Sequence, residues 1–172
     1  MITHSKIISR MSVLKLINEG VTIMDAKLAN GLFVLRVTIA IVFIMWTGDK
    51  FINPVHAESV WSGFFYMPAL GKAIFLGIGI AEAILIILFL AGIFKGVTYL
   101  IVLVFHGIST LAPVNVYLNA YSEPSNLLFF TAFPMLGACF FLYMFRTEDT
   151  KFTIKGNEGN EGNDENEEDK AE

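Results

Sequence analysis

Four long apolar stretches run along the chain, at about 32–47, 70–94, 97–116 and 127–145, separated by shorter polar or aromatic segments. A helix needs about 20 residues, with a range of roughly 17 to 25, to cross a hydrocarbon core about 30 Å thick. Each stretch meets that length, the first once residues 29–31 or Gly48 are counted with it. Lipid offers a backbone no hydrogen-bond partners, so the pattern predicts an all-α, polytopic membrane protein built as a four-helix transmembrane bundle. Pro113 and Pro134 fall inside the third and fourth stretches, where neighbouring helices can cover the carbonyls that a proline frees.

Flanking charge predicts orientation. Lys6, Arg10, Lys15 and Lys27 precede the first stretch, Lys95 sits in the second connection, and Arg146, Lys151 and Lys155 follow the fourth, whereas the other two connections carry only Lys50 and Lys72. The positive-inside rule then puts both termini on the cytoplasmic side of a bacterial or archaeal cell membrane. A cleaved signal peptide is the competing reading of the first stretch, with small residues at Val55 and Ala57. That site lies far beyond the apolar run, however, and the basic leader is long for such a signal.

Three regions are expected. Residues 1–28 form a cytoplasmic leader: Ile7, Met11 and Leu14 share one helical face, which suits a surface-lying amphipathic helix, a loosely ordered leader being the other reading. Residues 29–146 form the transmembrane domain. Residues 147–172 form a cytoplasmic tail, acidic and with little to bury after Gly156, and hence expected to be disordered. Between the first two stretches, Phe51, Trp61, Phe64, Phe65 and Tyr66 suit either a belt at the water–lipid boundary or a lid in contact with a ligand. Tyr117 and Tyr121 stand at the same level in the last connection.

Composition narrows the chemistry. A 55% hydrophobic content reinforces the membrane reading, and the net charge of −4 comes from acids crowded after Gly156, so no basic surface points to nucleic acid. Cys139 is the single cysteine, which excludes an intramolecular disulfide and dithiol redox chemistry, and its small neighbours Gly137 and Ala138 suggest packing. No Cys/His ligand cluster or phosphate-binding glycine loop is present, so no intrinsic cofactor is implied.

The candidate site residues are ionisable groups inside apolar stretches. Counting about 1.5 Å per residue, Glu82 lies roughly 15 Å from the outer end of the second stretch and His106 about 13 Å from the inner end of the third. The short connection makes these helices antiparallel neighbours, so the two groups are expected to meet near the midplane and handle protons together. Ser109, Thr110 and Pro113 extend His106 into an expected polar stripe. Hydrogen-bonded glue between helices is the alternative role for all of them. Arg36 is expected to snorkel to the headgroups, a buried partner being the other possibility. Asp49 and Lys50 are either interfacial charges or turned inward, and Gly77, Gly79, Ala81 and Ala83 would let a helix approach closely beside Glu82.

Three stretches, "LRVTIAIVFIMWTGDKF", "AEAILIILFLAGIF" and "NLLFFTAFPMLGACFFLYMFR", together spanning roughly residues 32–146, resemble the DoxX-like family of small four-helix membrane proteins. By that resemblance Arg36, Lys50 and Glu82 are family-pattern polar positions, and the implied setting is archaeal quinone-linked oxidation, including thiosulfate:quinone oxidoreduction. The family's glycine-rich ending is replaced here by the acidic tail, so shared cytoplasmic docking does not carry over. His106 comes from the residue reading alone.

Three functions follow as expectations. One is a membrane subunit of a quinone-linked redox system, in which Glu82 and His106 handle protons, Arg36, Lys50, Trp61, Ser109 and Thr110 contribute to binding, and a redox partner protein brings the electrons. Another is a lipid or small-molecule carrier or isomerase that uses the same polar groups. The third is an assembly or scaffold protein, a homo-oligomer included, in which they are only glue.

Overall fold

The structure is a computed structural model describing residues 2–66, 68, 70–123 and 126–154, with side chains from residue 15 onward. Every regular element in it is helical: α1 (Ile2–Ile52), α2 (Pro54–Phe65), α3 (Lys72–Ala91), α4 (Lys95–Leu111), α5 (Val114–Leu118), a 3-10 turn (Leu127–Thr131) and α6 (Ala132–Met144).

Three helical segments are long and apolar enough to cross a membrane, Lys15–Ile52, Lys72–Ala91 and Leu127–Met144, while α4 is a shorter apolar helix. Their outward faces carry large apolar side chains: Ile41, Ile44 and Met45 on α1, Ile80, Ile84 and Ile87 on α3, Val104 and Ile108 on α4, Phe140 and Met144 on α6. Water would penalise so continuous an apolar surface and lipid does not. Leu32, Ile39, Ala40, Ile86, Phe89, Tyr99, Val102, Cys139 and Leu142 form the shared core. Cys139 therefore packs as its small neighbours suggested.

α1 pairs chiefly with α3, and α4 with α6; α1 also meets α6. α3 and α4 are joined by a tight turn but meet less extensively. The turn follows from Gly92. At φ 64° it takes the left-handed conformation, Ile93 N–H donates to Leu88 O at 3.0 Å and Gly92 N–H to Phe89 O at 3.1 Å. This is the Schellman arrangement, which satisfies the last carbonyls of α3.

Three expectations about the elements change. The division at residue 28 is absent: α1 runs for 51 residues, about 77 Å, without a break. Residues 15–27 stand exposed along it, and the side chains of residues 2–14 lie outside the described ones. The third apolar stretch does not stay helical to residue 116, because Pro113 lacks an N–H and its ring crowds the preceding turn. α4 therefore ends at Leu111 and α5 resumes at Val114. Pro134, by contrast, causes no break, since it falls in the first turn of α6, where no intrahelical donor is required.

The tail boundary moves as well. Residues 147–154 fold back as a strap over the bundle end that holds the α3–α4 turn, with Asp149 fully buried and Ile154 N–H donating to Ala91 O at 2.9 Å. The rest of the expected tail, 155–172, lies outside the described residues. The aromatic segment is the helix α2, started by Pro54 at its first position and packed on α1 and α3 at the opposite end of the bundle.

Candidate functional site

Two ionic sites sit on α1. Arg36 and Lys50 are separated by 14 residues, about 21 Å of helix.

At the turn end, Arg36 lies on the buried stripe of α1 with Leu32, Ile39 and Ala40 and is itself 0% exposed. Its Nη1 is 2.9 Å from Asp149 Oδ2 and donates to Tyr99 Oη at 3.2 Å, while Nη2 donates to Lys151 O at 2.6 Å and Phe152 O at 3.2 Å. Tyr99 Oη in turn donates to Asp149 Oδ2 at 2.6 Å. The expectation that Arg36 snorkels to the headgroups is thus overturned. Burying a guanidinium is costly unless most of its donors are satisfied; the strap supplies a carboxylate to Nη1 and two carbonyls to Nη2, while Nε is left without a partner.

At the α2 end, the carboxylate Oε2 of Glu82 is 2.8 Å from Lys50 Nζ and accepts from Thr47 Oγ1 at 2.9 Å. The two charged side chains are 16% and 17% exposed, so the pair is sheltered yet reachable. Gly79, one turn before Glu82, admits the close approach expected there: a Cβ at that position would stand 2.9 Å from Phe51 Cζ. Gly77 has open space around it and plays no such part. Lys50 turns inward, whereas Asp49 accepts from His56 Nδ1 at 2.6 Å. Trp61 stacks on Phe65 and meets Phe75 edge-on, and its Nε1 is buried without a hydrogen-bond partner. Phe75, Gly79 and Glu82 share one face of α3, so the tryptophan stands on the line leading to the ion pair.

Glu82 and His106 do not share a hydrogen bond. His106 Nε2 is 3.1 Å from Ala132 O on α6, and its ring meets Phe43 of α1 edge-on. Thr47 and Phe43, their respective contacts on α1, are four residues apart, about 6 Å. The depths estimated for Glu82 and His106 are therefore similar, but each faces a different neighbour. The polar stripe also divides. Thr110 is buried, its hydroxyl donating to His106 O at 2.7 Å, while Ser109 is exposed on the outer face. At about 100° per residue, Ser109 and Thr110 flank His106 on either side, and it is the Thr110 side that turns inward.

Tyr99, Asp149 and Thr47 were not singled out by the sequence. Thr47 and Lys50 share a helical face at a spacing of three, and Lys95 and Tyr99 at a spacing of four; those spacings were the available signals. Asp149 had only its position among Arg146 and Lys151 to mark it. Among the described residues no group of three or more His, Cys, Asp or Glu could hold a metal ion. No family model, curated protein or solved structure matches the chain.

Proposed function

We propose that the chain is a multi-pass protein of a bacterial or archaeal cytoplasmic membrane, in which α1, α3, α4 and the α6 segment form a four-helix transmembrane bundle with both termini cytoplasmic. Its working site is the Lys50–Glu82–Thr47 cluster beside α2, where it binds a membrane quinone for a DoxX-like, quinone-linked redox system. The observation that carries this reading is a charged pair held inside an apolar bundle yet partly accessible; an ionisable group at that depth is costly and tends to mark a ligand or proton path. The Lys50 ammonium suits a quinone carbonyl, and the buried Trp61 Nε1 is a further donor on the same side. Reduction to quinol takes up protons as well as electrons. Lys50 and Glu82 offer the proton groups, and a partner protein brings the electrons. His106, held to Ala132 O, stands apart from that step.

The test is to purify the protein in mild detergent and to quantify extracted isoprenoid quinone and co-purifying redox proteins for wild type, Lys50→Met and Glu82→Gln. Quinone retained by wild type and lost in both variants supports the reading. Absence of both quinone and redox proteins from the wild type rejects it. Ser59→Cys and Ser122→Cys, at exposed positions, should be labelled only from outside the cell; labelling from the cytoplasm alone rejects the topology.

A carrier for lipid is the second reading, favoured by an apolar groove of about 400 Å³ between α3 and α4, lined by Ile84, Leu88, Val97 and Ile101 among others. Bound phospholipid without quinone or partners, in the same purification, would support it.

A further inference from the structure

The ionic site at the turn end is incompletely matched. Arg36 and Asp149 are both fully buried, yet they meet through a single Nη1–Oδ2 contact, and Arg36 Nε and Asp149 Oδ1 are both left without a partner. A guanidinium and a carboxylate can pair through two parallel bonds; here the carboxylate reaches only one arm of the fork. Charge is unbalanced too. Lys95 Nζ donates to the backbone carbonyl of Asp149 at 3.3 Å, so Arg36 and Lys95 converge on a residue that carries one negative charge.

The strap that delivers Asp149 is lightly held. Beyond Glu148 N–H to Phe145 O at the end of α6, Ile154 N–H to Ala91 O is its one backbone bond to the bundle among the described residues; its other bonds to the bundle run to the side chains of Arg36, Tyr99 and Lys95, and Phe152 packs on Phe33. Phe152 sits at φ 50°, a conformation that costs a residue other than glycine. Thr150, Lys151, Phe152 and Ile154 are exposed.

We propose that Asp149 occupies, as a built-in substitute, a binding site for a phosphate dianion, free or as a monoester, and that such an anion exchanges with Asp149 and releases the strap. Once the strap carbonyls leave Nη2, a dianionic, tetrahedral group offers an acceptor each to Arg36 Nε and Nη2, whose N–H bonds run parallel along one edge of the guanidinium, and balances Arg36 and Lys95 together. The exchange has an energetic reason to be coupled. Withdrawing the strap alone would take from Arg36 its carboxylate and both carbonyls at once, so the strap leaves when another anion arrives. Free phosphate and the headgroup of phosphatidic acid share this chemistry. The inference does not depend on what binds beside Glu82.

Trypsin reads the exchange directly, because the carbonyl of Lys151, the residue after which it cuts, is held by Arg36 Nη2 at 2.6 Å. Cleavage after Lys151 then follows the released fraction. Inorganic phosphate at ten times its dissociation constant from the strap-released form should raise that rate about elevenfold in wild-type protein, with sodium chloride of equal ionic strength as control. The same assay in nanodiscs separates the sources. Acceleration by phosphatidic acid over phosphatidylcholine assigns the lipid headgroup, and acceleration by dissolved phosphate in phosphatidylcholine assigns the free ion. By calorimetry, Asp149→Asn should bind phosphate more tightly than wild type, and Lys95→Gln more weakly. No acceleration from either source, equal acceleration by chloride, or an unchanged phosphate affinity in Asp149→Asn overturns the proposal.

Discussion

Arg36 in α1 and Asp149 in the strap, 113 residues apart in sequence, meet at 2.9 Å with neither side chain exposed. The contact joins the middle of the longest helix to the segment after the last one, across the α3–α4 turn. An arginine near the edge of an apolar helix can reach the headgroups at little cost. This one is instead enclosed, because Tyr99, Asp149 and the carbonyls of Lys151 and Phe152 satisfy it from inside.

Tyr99 is the hinge of that network, accepting from Arg36 and donating to Asp149. Tyr99→Phe keeps the ring that packs edge-on against Phe89 and removes only the hydroxyl. A hydrogen bond to a charged group is worth about 1.5–3 kcal/mol, and a loss of that order is expected in detergent-solubilised unfolding. Faster hydrogen exchange at the Ile154 amide should accompany it. Unchanged stability and exchange would show that the hydroxyl contributes nothing to holding the strap.

Glycine substitutions separate strap contact from helix propensity. At Gly92 a Cβ would meet Thr153 Cγ2 at 2.6 Å and Arg36 Nη1 at 2.9 Å, and φ is 64°. Gly92→Ala should therefore destabilise the protein by about 1–3 kcal/mol through strain and crowding. Gly77, with nothing within 4 Å, should accept alanine with a neutral or slightly favourable effect, since alanine is the better helix former. Equal effects at the two positions would reject the close approach at Gly92.

The difference between these glycines also marks how far the sequence could be read. Apolar length showed the long helices, though it ran the second one past Gly92 to residue 94, and counted rise placed Glu82 and His106 at similar depth. What the sequence did not carry was azimuth. α1 is apolar on most sides, so no stripe marks the face that Arg36 shares with Leu32, Ile39 and Ala40. Without azimuth, depth does not determine which neighbour an ionisable group finds. Asp149 was hidden for another reason: beside Glu148, between Arg146 and Lys151 after a final span, it looks like solvated tail until the chain turns back.

Lys50 and Glu82 should behave as a unit. Lys50→Met leaves the Glu82 carboxylate with Thr47 alone, and Glu82→Gln leaves a sheltered ammonium, so each single change should destabilise. The double substitution should cost less than their sum by about 0.6–1.7 kcal/mol, the scale of polar coupling measured in a membrane bundle. A double-mutant cycle in detergent unfolding checks this. Strict additivity would mean that the 2.8 Å contact carries no net energy.

Glu82 and His106 provide the opposite case. Their bonding partners are distinct: Lys50 and Thr47 for the carboxylate, Ala132 O for the imidazole. Residues without shared partners usually add within about 0.3–0.5 kcal/mol, so Glu82→Gln and His106→Gln should be additive in the same unfolding assay. Their functional effects should separate as well. Glu82→Gln should reduce quinone retention, while His106→Gln, by loosening α4 from α6, should lower stability without removing bound quinone. A measured coupling well above 0.5 kcal/mol would join the two groups through contacts other than those that hold them here, and would return His106 to the proton-handling site.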